Sequence, residues 1–132
     1  MIDHLSFYAT DYDTSRAFYQ PILEALGYRI QSELIADWNS DFPTQRMCAF
    51  GPDGIPTFWL IESKIAYTPR HLAFSAHTRK SVDSFYQEGF KNGGIDNGEP
   101  GLRPMYHDSY YAAFLLDPDG NNVEAVCHVK DR

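Results

Sequence analysis

The sequence predicts an α+β fold: two β-α-β-β-β modules in a pseudo-two-fold arrangement, forming an open, cupped mixed sheet with helices outside. The main observation is an internal repeat, in which HLSFYATDYDTSRAFYQ from His4 returns as HLAFSAHTRKSVDSFYQ from His71, 67 residues later. The tripeptide PDG at residues 52–54 also recurs, at residues 118–120. Each copy begins with a period-two pattern and continues with a period typical of a helix. Repeated order of this kind indicates a duplicated module.

The repeat sets the domain organisation. A chain of 132 residues has the length of one domain. We expect a single domain over residues 1–132, with module one at residues 1–66 and module two at residues 68–130.

The first strand of each module follows from alternation. In module one, Leu5, Phe7 and Ala9 share one face, and His4 lies on the other. The segment PRHLAFSAH repeats this pattern around His71. These apolar rows predict half-buried strands whose second face is open.

A helix follows each first strand. In module one, Asp13 and Thr14 are capping candidates, Gly27 is a candidate stop, and Pro21 is expected to kink or restart the helix. In module two the pattern predicts a helix over residues 81–92.

Strand-like runs complete each module, and PDG turns join the last two of them. These runs are YRIQSEL, RMCAF and TFWLIE in module one, and YYAAFLL and NNVEAVCH in module two. The segment IDNGEPGLRPMYHDS is rich in Gly, Pro and Asn, and it predicts a long loop.

Composition excludes several functions. The net charge of −7 and the lack of a basic stripe disfavour nucleic acid as a partner. No apolar run reaches the roughly 20 residues that span a bilayer, and no signal peptide is visible, so we expect no membrane partner and a cytoplasmic location. The two cysteines, Cys48 and Cys127, are expected to be buried thiols rather than a disulfide.

The open faces hold candidate metal ligands. His4 and His71 occupy equivalent positions opposite the apolar rows. In NNVEAVCH, Glu124 points away from the apolar row, and a buried carboxylate is costly unless it is paired or bound to metal. We expect these three side chains to converge as a facial site with open coordination positions, suited to Zn, Mn, Fe, Ni or Co. The alternative for Glu124 is a salt bridge.

The chain resembles the vicinal oxygen chelate superfamily, which includes glyoxalase I, fosfomycin and bleomycin resistance proteins, and extradiol dioxygenases. The resemblance rests on the paired modules, a histidine in each first strand, and LDPDGNNVEAV at residues 116–126. It implies that His4, His71 and Glu124 are metal ligands. It also implies a small-molecule substrate whose neighbouring oxygens bind the metal, and a possible homodimer.

One departure from glyoxalase I concerns its fourth ligand, a glutamate late in module one. Aligning the PDG turns places Phe58 opposite Glu124, which predicts a three-ligand site with Phe58 as an apolar wall for the substrate. Glu62, four residues further on, stays open as a fourth ligand.

The segment GLRPMYHDSYY is the candidate lid. Arg103 and Tyr106 are candidates for substrate binding, and His107 and Tyr111 are candidates for acid/base catalysis. The three tyrosines Tyr106, Tyr110 and Tyr111 could also hydrogen-bond to a ligand or stack on it. The alternative is that Arg103 and His107 are solvated and the tyrosines pack the loop.

Two functions stay open. One is a metal-dependent lyase, transferase or isomerase that acts on a small oxygenated metabolite or antibiotic, with a dioxygenase as a further possibility. The other is a small-molecule binding or drug-sequestering protein with a vestigial metal site.

Overall fold

A computed structural model describes residues 1–130 of the chain. Within them lie two helices and eight strands, in the predicted module order. Module one contains β1 (Leu5–Ala9), α1 (Tyr12–Ala25), β2 (Arg29–Ile35), β3 (Arg46–Gly51) and β4 (Phe58–Glu62). Module two contains β5 (His71–Ser75), α2 (Arg79–Lys91), β6 (Ile95–Leu102), β7 (Tyr111–Leu116) and β8 (Asn122–Cys127). The predicted α+β class with paired modules is confirmed.

The strands form two open, mixed sheets of four strands each, rather than one continuous sheet. The order is β1-β4-β3-β2 in module one and β5-β8-β7-β6 in module two. In each sheet the first strand of the module runs parallel to the last, and the remaining pairs are antiparallel. The first strands, β1 and β5, therefore lie at sheet edges.

Both helices begin at a capping side chain. The carboxylate of Asp11 accepts a hydrogen bond from the Thr14 amide at 3.2 Å, and Thr78 caps α2 in the same way through the Ser81 amide at 3.0 Å. The caps therefore precede the predicted positions by two or three residues.

Helix α1 continues through Pro21 instead of restarting there. A proline inside a helix costs about 3 kcal/mol, whereas burying one large apolar side chain contributes about 1.5–3 kcal/mol. Phe18, Tyr19, Ile22 and Leu23 around this proline are all fully buried. Their combined burial exceeds the cost of Pro21.

One core joins the modules. It contains residues from both helices and both sheets, and α1 packs directly against α2. Three polar contacts also cross between modules: Tyr19 donates to Asp117, the Thr10 hydroxyl donates to Asp119 at 2.6 Å, and the Tyr28 hydroxyl donates to the Ser75 carbonyl at 3.1 Å. The relative position of the two sheets is therefore fixed by the shared core together with these three contacts.

The loop predicted after the second helix is partly wrong, because Ile95–Leu102 forms strand β6. The register of β6 against β7 shifts twice, on either side of Gly98, which has a φ of +147°. An irregular edge strand tolerates the Gly and Pro residues that led us to predict a loop.

Two further expectations concern the whole chain. Cys48 and Cys127 are both buried thiols. Among residues 1–130, neither helix is long and apolar enough to cross a membrane.

Candidate functional site

The candidate site lies on the face of the second sheet that points away from α2, which we call the open face of module two. Strand pairing places Glu124 next to Ala73 on one side and opposite Phe114 on the other. The same face carries these polar and aromatic side chains: His71, Arg103, Tyr110, Phe114, Glu124 and His128.

Glu124 is the centre of this face. It is only 2% exposed, and both carboxylate oxygens have neighbours. Its Oε2 accepts a hydrogen bond from the Tyr110 hydroxyl, and its Oε1 lies 3.1 Å from Nε2 of His71. Burial, followed by the bond to Glu124, raises the pKa of Tyr110 to about 12, so Tyr110 is a protonated donor at neutral pH.

The His71 ring is oriented by the backbone. Its Nδ1 lies 3.1 Å from the carbonyl oxygen of Asn122, which can only accept, so Nδ1 carries the proton. In the neutral ring Nε2 then holds a lone pair, directed at the Glu124 carboxylate. Two acceptors at 3.1 Å are unfavourable unless a proton or metal cation joins them. Metal-binding histidines usually show this arrangement, with the other ring nitrogen donating to a carbonyl or carboxylate.

The separation of these two donors fits a metal ion. Two ligand atoms at about 2.1 Å from one metal, at right angles to each other, are about 3.0 Å apart. Nε2 of His71 and Oε1 of Glu124 lie 3.1 Å apart. This pair therefore has the spacing of two neighbouring ligands.

His4 does not complete the set within one chain. Its Nδ1 pairs with Asp3 Oδ1 at 2.6 Å, on an exposed segment before β1. Across residues 1–130, no three His, Cys, Asp or Glu side chains are grouped as a metal site. The expected convergence of His4 with His71 and Glu124 in a single chain is therefore wrong, and two of the three predicted ligands meet.

His107 lies at the rim of the open face and forms a pair with His128. Its Nδ1 accepts from the Ser109 amide at 3.1 Å, so in the neutral ring Nε2 carries the proton and donates to Nδ1 of His128 at 2.8 Å. Both rings pack edge-on against Tyr110. His107 therefore packs against Tyr110, which donates to Glu124, and this places a candidate acid/base group close to the centre of the site.

The two predicted tyrosines have different positions. Tyr106 is exposed and packs on Tyr110, with ring centroids 4.8 Å apart. Tyr111 points to the opposite face, where its hydroxyl donates to Asp83 of α2 at 2.6 Å. The structure therefore does not bring Tyr111 to the open face, because alternation along β7 turns neighbouring residues to opposite faces. Tyr110 has the position that we expected for Tyr111.

Arg103 lies on the open face of module two, and it is not a solvated loop residue. Its guanidinium donates to the carbonyl oxygens of Gly101 at 2.8 Å and Glu99 at 2.7 Å, and it covers the Phe114 ring at 5.3 Å. Its position over the Phe114 ring is therefore fixed.

The alignment of Phe58 with Glu124 is off by one residue. Leu5 pairs with Phe58, whereas the equivalent Leu72 pairs with Val123, so Trp59 is the counterpart of Glu124. The cause is a difference in turn length. Residues 52–57 join β3 to β4, whereas residues 117–121 join β7 to β8, so the second turn is one residue shorter than the first. Trp59 is half-buried on the face of the first sheet that points away from α1, which we call the open face of module one.

Phe58 instead lies on the core side, 3% exposed and packed edge-on against Phe7 and Phe74. It lines a cavity of about 370 Å³ between the modules. The walls of this cavity are mainly apolar and include Leu5, Leu23, Phe50, Phe58, Leu72 and Phe74.

Glu62 is already engaged by Arg46. Its two carboxylate oxygens accept from the Arg46 guanidinium at 3.2 Å and 2.9 Å, and Oε1 also accepts from the Arg46 amide at 3.0 Å. These hydrogen bonds hold the pKa of Glu62 below its usual value. The carboxylate therefore has a structural partner in this chain.

Sequence reasoning gave Phe114, His128 and Trp59 no role in the site, and it named Tyr110 only as one of three tyrosines that could contact a ligand. Phe114 and Tyr110 follow from one signal, the hairpin joined by the second PDG turn. Counting back from that turn places Phe114 opposite Glu124, and alternation then places Tyr110 on the same face.

Comparisons with known proteins agree with this architecture. A family model described as the Glyoxalase/Bleomycin resistance protein/Dioxygenase superfamily matches residues 1–125. No curated protein matches this chain. A glyoxalase/bleomycin resistance protein from Albidiferax ferrireducens T118 is 26% identical, with a TM-score of 0.71 and coverage of 96% of this chain and 98% of that chain.

Two more distant structures share the fold. The fosfomycin resistance protein FosX from Listeria monocytogenes, solved with Mn(II) and 1S,2S-dihydroxypropylphosphonic acid, is 16% identical, with a TM-score of 0.67 and coverage of 96% and 90%. A glyoxalase I variant from Zea mays is 20% identical, with a TM-score of 0.67 and coverage of 95% of this chain and 45% of that chain. Since the family model spans nearly the whole length, the chain belongs to the Glyoxalase/Bleomycin resistance protein/Dioxygenase superfamily.

Proposed function

We propose that this protein is a divalent-metal-dependent enzyme acting on a small oxygenated molecule, and that two copies of the chain together build each metal site. The observation that carries the proposal is the His71–Glu124 pair, in which Nε2 lies 3.1 Å from an oxygen of a buried carboxylate. That arrangement favours a cation between the two groups. The fold shared with FosX, which was solved with Mn(II), supports the choice of a metal ion over a proton.

His4 is the proposed third ligand, supplied by the second copy. Its Nδ1 contacts the Asp3 carboxylate, so Nε2 is the nitrogen available to a metal, as in His71. The edge position of β1 and β5, and the exposed Tyr8 beside the half-buried Trp59 on the open face of module one, favour association with another copy. A homodimer would bring each module-one face against a module-two face.

The chain's own residues suit oxyanion chemistry. A bound metal would act as a Lewis acid for an oxygen of the substrate. Tyr110, protonated up to about pH 12, holds one oxygen of Glu124 in place. His107 and His128 form an oriented pair at the rim through which a proton can be passed to or from the substrate. Two buried thiols are consistent with a cytoplasmic location.

Metal affinity tests the ligand assignment. Protein stripped of metal is titrated with Mn²⁺, Ni²⁺, Co²⁺ and Zn²⁺ by calorimetry, and its mass in solution is measured. His4→Ala, His71→Ala and Glu124→Gln are each expected to weaken binding by at least about tenfold. His77→Ala and Glu24→Gln make the same chemical changes at exposed positions outside the site, and they should bind as the wild type does. Wild-type affinity in Glu124→Gln contradicts the assignment.

Mixing two defective variants tests the shared site. If each site takes His4 from one copy and Glu124 from the other, a mixed dimer of His4→Ala and Glu124→Gln contains one intact site and one site lacking both ligands. After random subunit exchange, about one quarter of all sites should bind metal again. No recovery after demonstrated exchange, or full binding by a monomer, contradicts the shared site.

The reaction type is tested with three substrates on metal-loaded protein. A methylglyoxal–thiol adduct reports isomerase or lyase activity, fosfomycin with a thiol reports transferase activity, and catechols report dioxygenase activity. Turnover of any one that is lost in Glu124→Gln supports an enzyme. Stoichiometric metal binding without turnover of the three narrows the proposal to other oxygenated substrates.

A second candidate function is metal-independent binding of a small apolar molecule in the cavity between the modules. Its volume of about 370 Å³ and apolar walls are typical of ligand pockets. Saturable binding of a small fluorescent apolar dye to metal-free protein, weakened by Leu72→Trp, favours this function. Binding that is unchanged in that variant opposes it.

A further inference from the structure

Arg103 carries a fixed positive charge on the open face of module two. It is the counterpart of Tyr110 across the β6–β7 pair, since the Arg103 amide donates to the Tyr110 carbonyl at 2.7 Å. Residues opposite each other in an antiparallel pair share a face. The guanidinium therefore lies on the same side of the sheet as Glu124.

The Arg103 charge has no acidic partner. Across residues 1–130, no Asp or Glu carboxylate lies within ion-pair distance of its guanidinium. Its contact with Glu99 is to the backbone carbonyl, not to the carboxylate. A guanidinium has five N–H donors, and the two bonds to carbonyl oxygens leave three unused. Those donors are available to an external anion.

Phe114 links this charge to the metal-ligand pair. The Arg103 guanidinium lies 5.3 Å from the Phe114 ring centre, and the His71 ring stacks near the same ring at 6.4 Å. Phe114 is directly opposite Glu124 in the register. The Arg103 guanidinium and the His71 ring therefore each lie within 6.4 Å of the centre of the same aromatic ring.

We propose that Arg103 forms an anion subsite, and that the substrate carries a carboxylate or phosphonate there, joined by a short apolar segment over Phe114 to the oxygens that react. This inference deepens the proposed function. It rests on that function only for the end of the substrate that reacts at the metal. The shared chemistry is an organic oxyanion, which a guanidinium binds through paired N–H groups. Because the net charge of −7 disfavours anions near the protein in general, an anion is expected to bind beside a fixed cation that has no acidic partner, such as Arg103.

The alternative role of Arg103 is to brace the irregular strand β6. Its two bonds to carbonyl oxygens stabilise the segment around Gly98 and Gly101, where the register shifts. A brace alone would make variants less stable without changing anion affinity. The test therefore measures binding and folding separately.

Metal-free protein is titrated with benzoate and with phenylphosphonate, and binding is followed by NMR shifts of backbone amides. Benzyl alcohol is the neutral control probe. We expect saturable binding of at least one of the two anions, with shifts centred on Arg103, Tyr110 and Phe114. Arg103→Gln should weaken it by about tenfold or more, because a charge-assisted bidentate contact is lost. Preference between the two probes identifies a planar or a tetrahedral oxyanion.

Arg29→Gln is the matched control, because it removes the same charge from an exposed residue of module one. The affinity of this variant for the anionic probes should equal that of the wild type. Arg103→Lys keeps the charge and is expected to bind with intermediate affinity. If Arg103→Gln does not fold, the comparison of Arg103→Lys with the wild type decides. Equal affinity of the folded variants and wild type, or no saturable anion binding at all, overturns the subsite. Because no metal is present, these outcomes are independent of the metal titration.

Discussion

Two buried carboxylates in module two should respond in opposite ways to loss of charge. Asp117 is 4% exposed and Glu124 is 2% exposed, so both would be costly to bury without partners. We consider Asp117→Asn and Glu124→Gln in metal-free protein. Each change keeps the shape of the side chain and replaces one oxygen with an amide nitrogen.

Asp117 is held by four donors. Its Oδ1 accepts from the amides of Asp119 at 2.9 Å and Asn121 at 2.8 Å, and its Oδ2 accepts from the Asn121 side chain at 2.8 Å and from Tyr19. Whichever oxygen becomes an NH₂ group, two donors lose their acceptor. Bonds to a charged group contribute about 1.5–3 kcal/mol each, so Asp117→Asn should lower the free energy of unfolding by about 3–6 kcal/mol.

Glu124 has different partners. A glutamine there keeps one oxygen to accept from Tyr110, and its NH₂ group can donate to the lone pair on Nε2 of His71. The unfavourable pairing of two acceptors becomes a hydrogen bond. We therefore expect Glu124→Gln to leave stability unchanged or to raise it by up to about 1 kcal/mol. A site that functions by holding a cation is destabilising when it is empty, so a substitution that removes the unfavourable pairing is expected to stabilise the metal-free protein.

The assay is urea unfolding followed by far-ultraviolet circular dichroism, after metal has been removed with a chelator. With a slope of about 2 kcal/mol per molar urea, Asp117→Asn should lower the midpoint by at least about 1.5 M, and Glu124→Gln should shift it by less than about 0.5 M. If Glu124→Gln is destabilised as strongly as Asp117→Asn, Glu124 is a structural residue, and the reasoning that assigns a cation to the His71–Glu124 pair is wrong.

Two other predictions concern pH and packing. Burial, followed by hydrogen bonds to Glu124 and Asp83, raises the pKa of Tyr110 and of Tyr111 to about 12. An unfolded tyrosine titrates near 10, so between about pH 10 and 12 the folded state binds more protons than the unfolded state, and stability falls as pH rises. Tyr111→Phe should make this fall smaller, which urea midpoints measured at about pH 9 and 11 will show. An unchanged fall would mean that ionisation of Tyr111 does not cause it. In α2, a Cβ on Gly89 would lie 2.2 Å from Leu115 Cδ1, so Gly89→Ala should lower the free energy of unfolding by about 1–3 kcal/mol despite its better helix propensity. Ser84→Ala in the same helix is the control for propensity, and equal urea midpoints for the two variants would show that the helix moves to make room.

The sequence alone predicts the duplicated modules and the faces on which the residues of β1, β5 and β8 lie. These features are local or follow from the repeat, because period-two alternation depends only on the strand's own residues. It therefore placed His71 and Glu124 on one face, and the structure brings their donor atoms within 3.1 Å.

Register and module packing were decided by the tertiary structure. Register depends on turn length. Because the first PDG turn has one extra residue, the counterpart of Glu124 is Trp59 rather than Phe58. The choice of Tyr110 over Tyr111 likewise required the pairing of β7 with β8. The position of His4 depends on how the two modules pack, which involves side chains far apart in the chain, such as Tyr19 and Asp117. No local pattern encodes that arrangement, because it is the sum of contacts across the whole core.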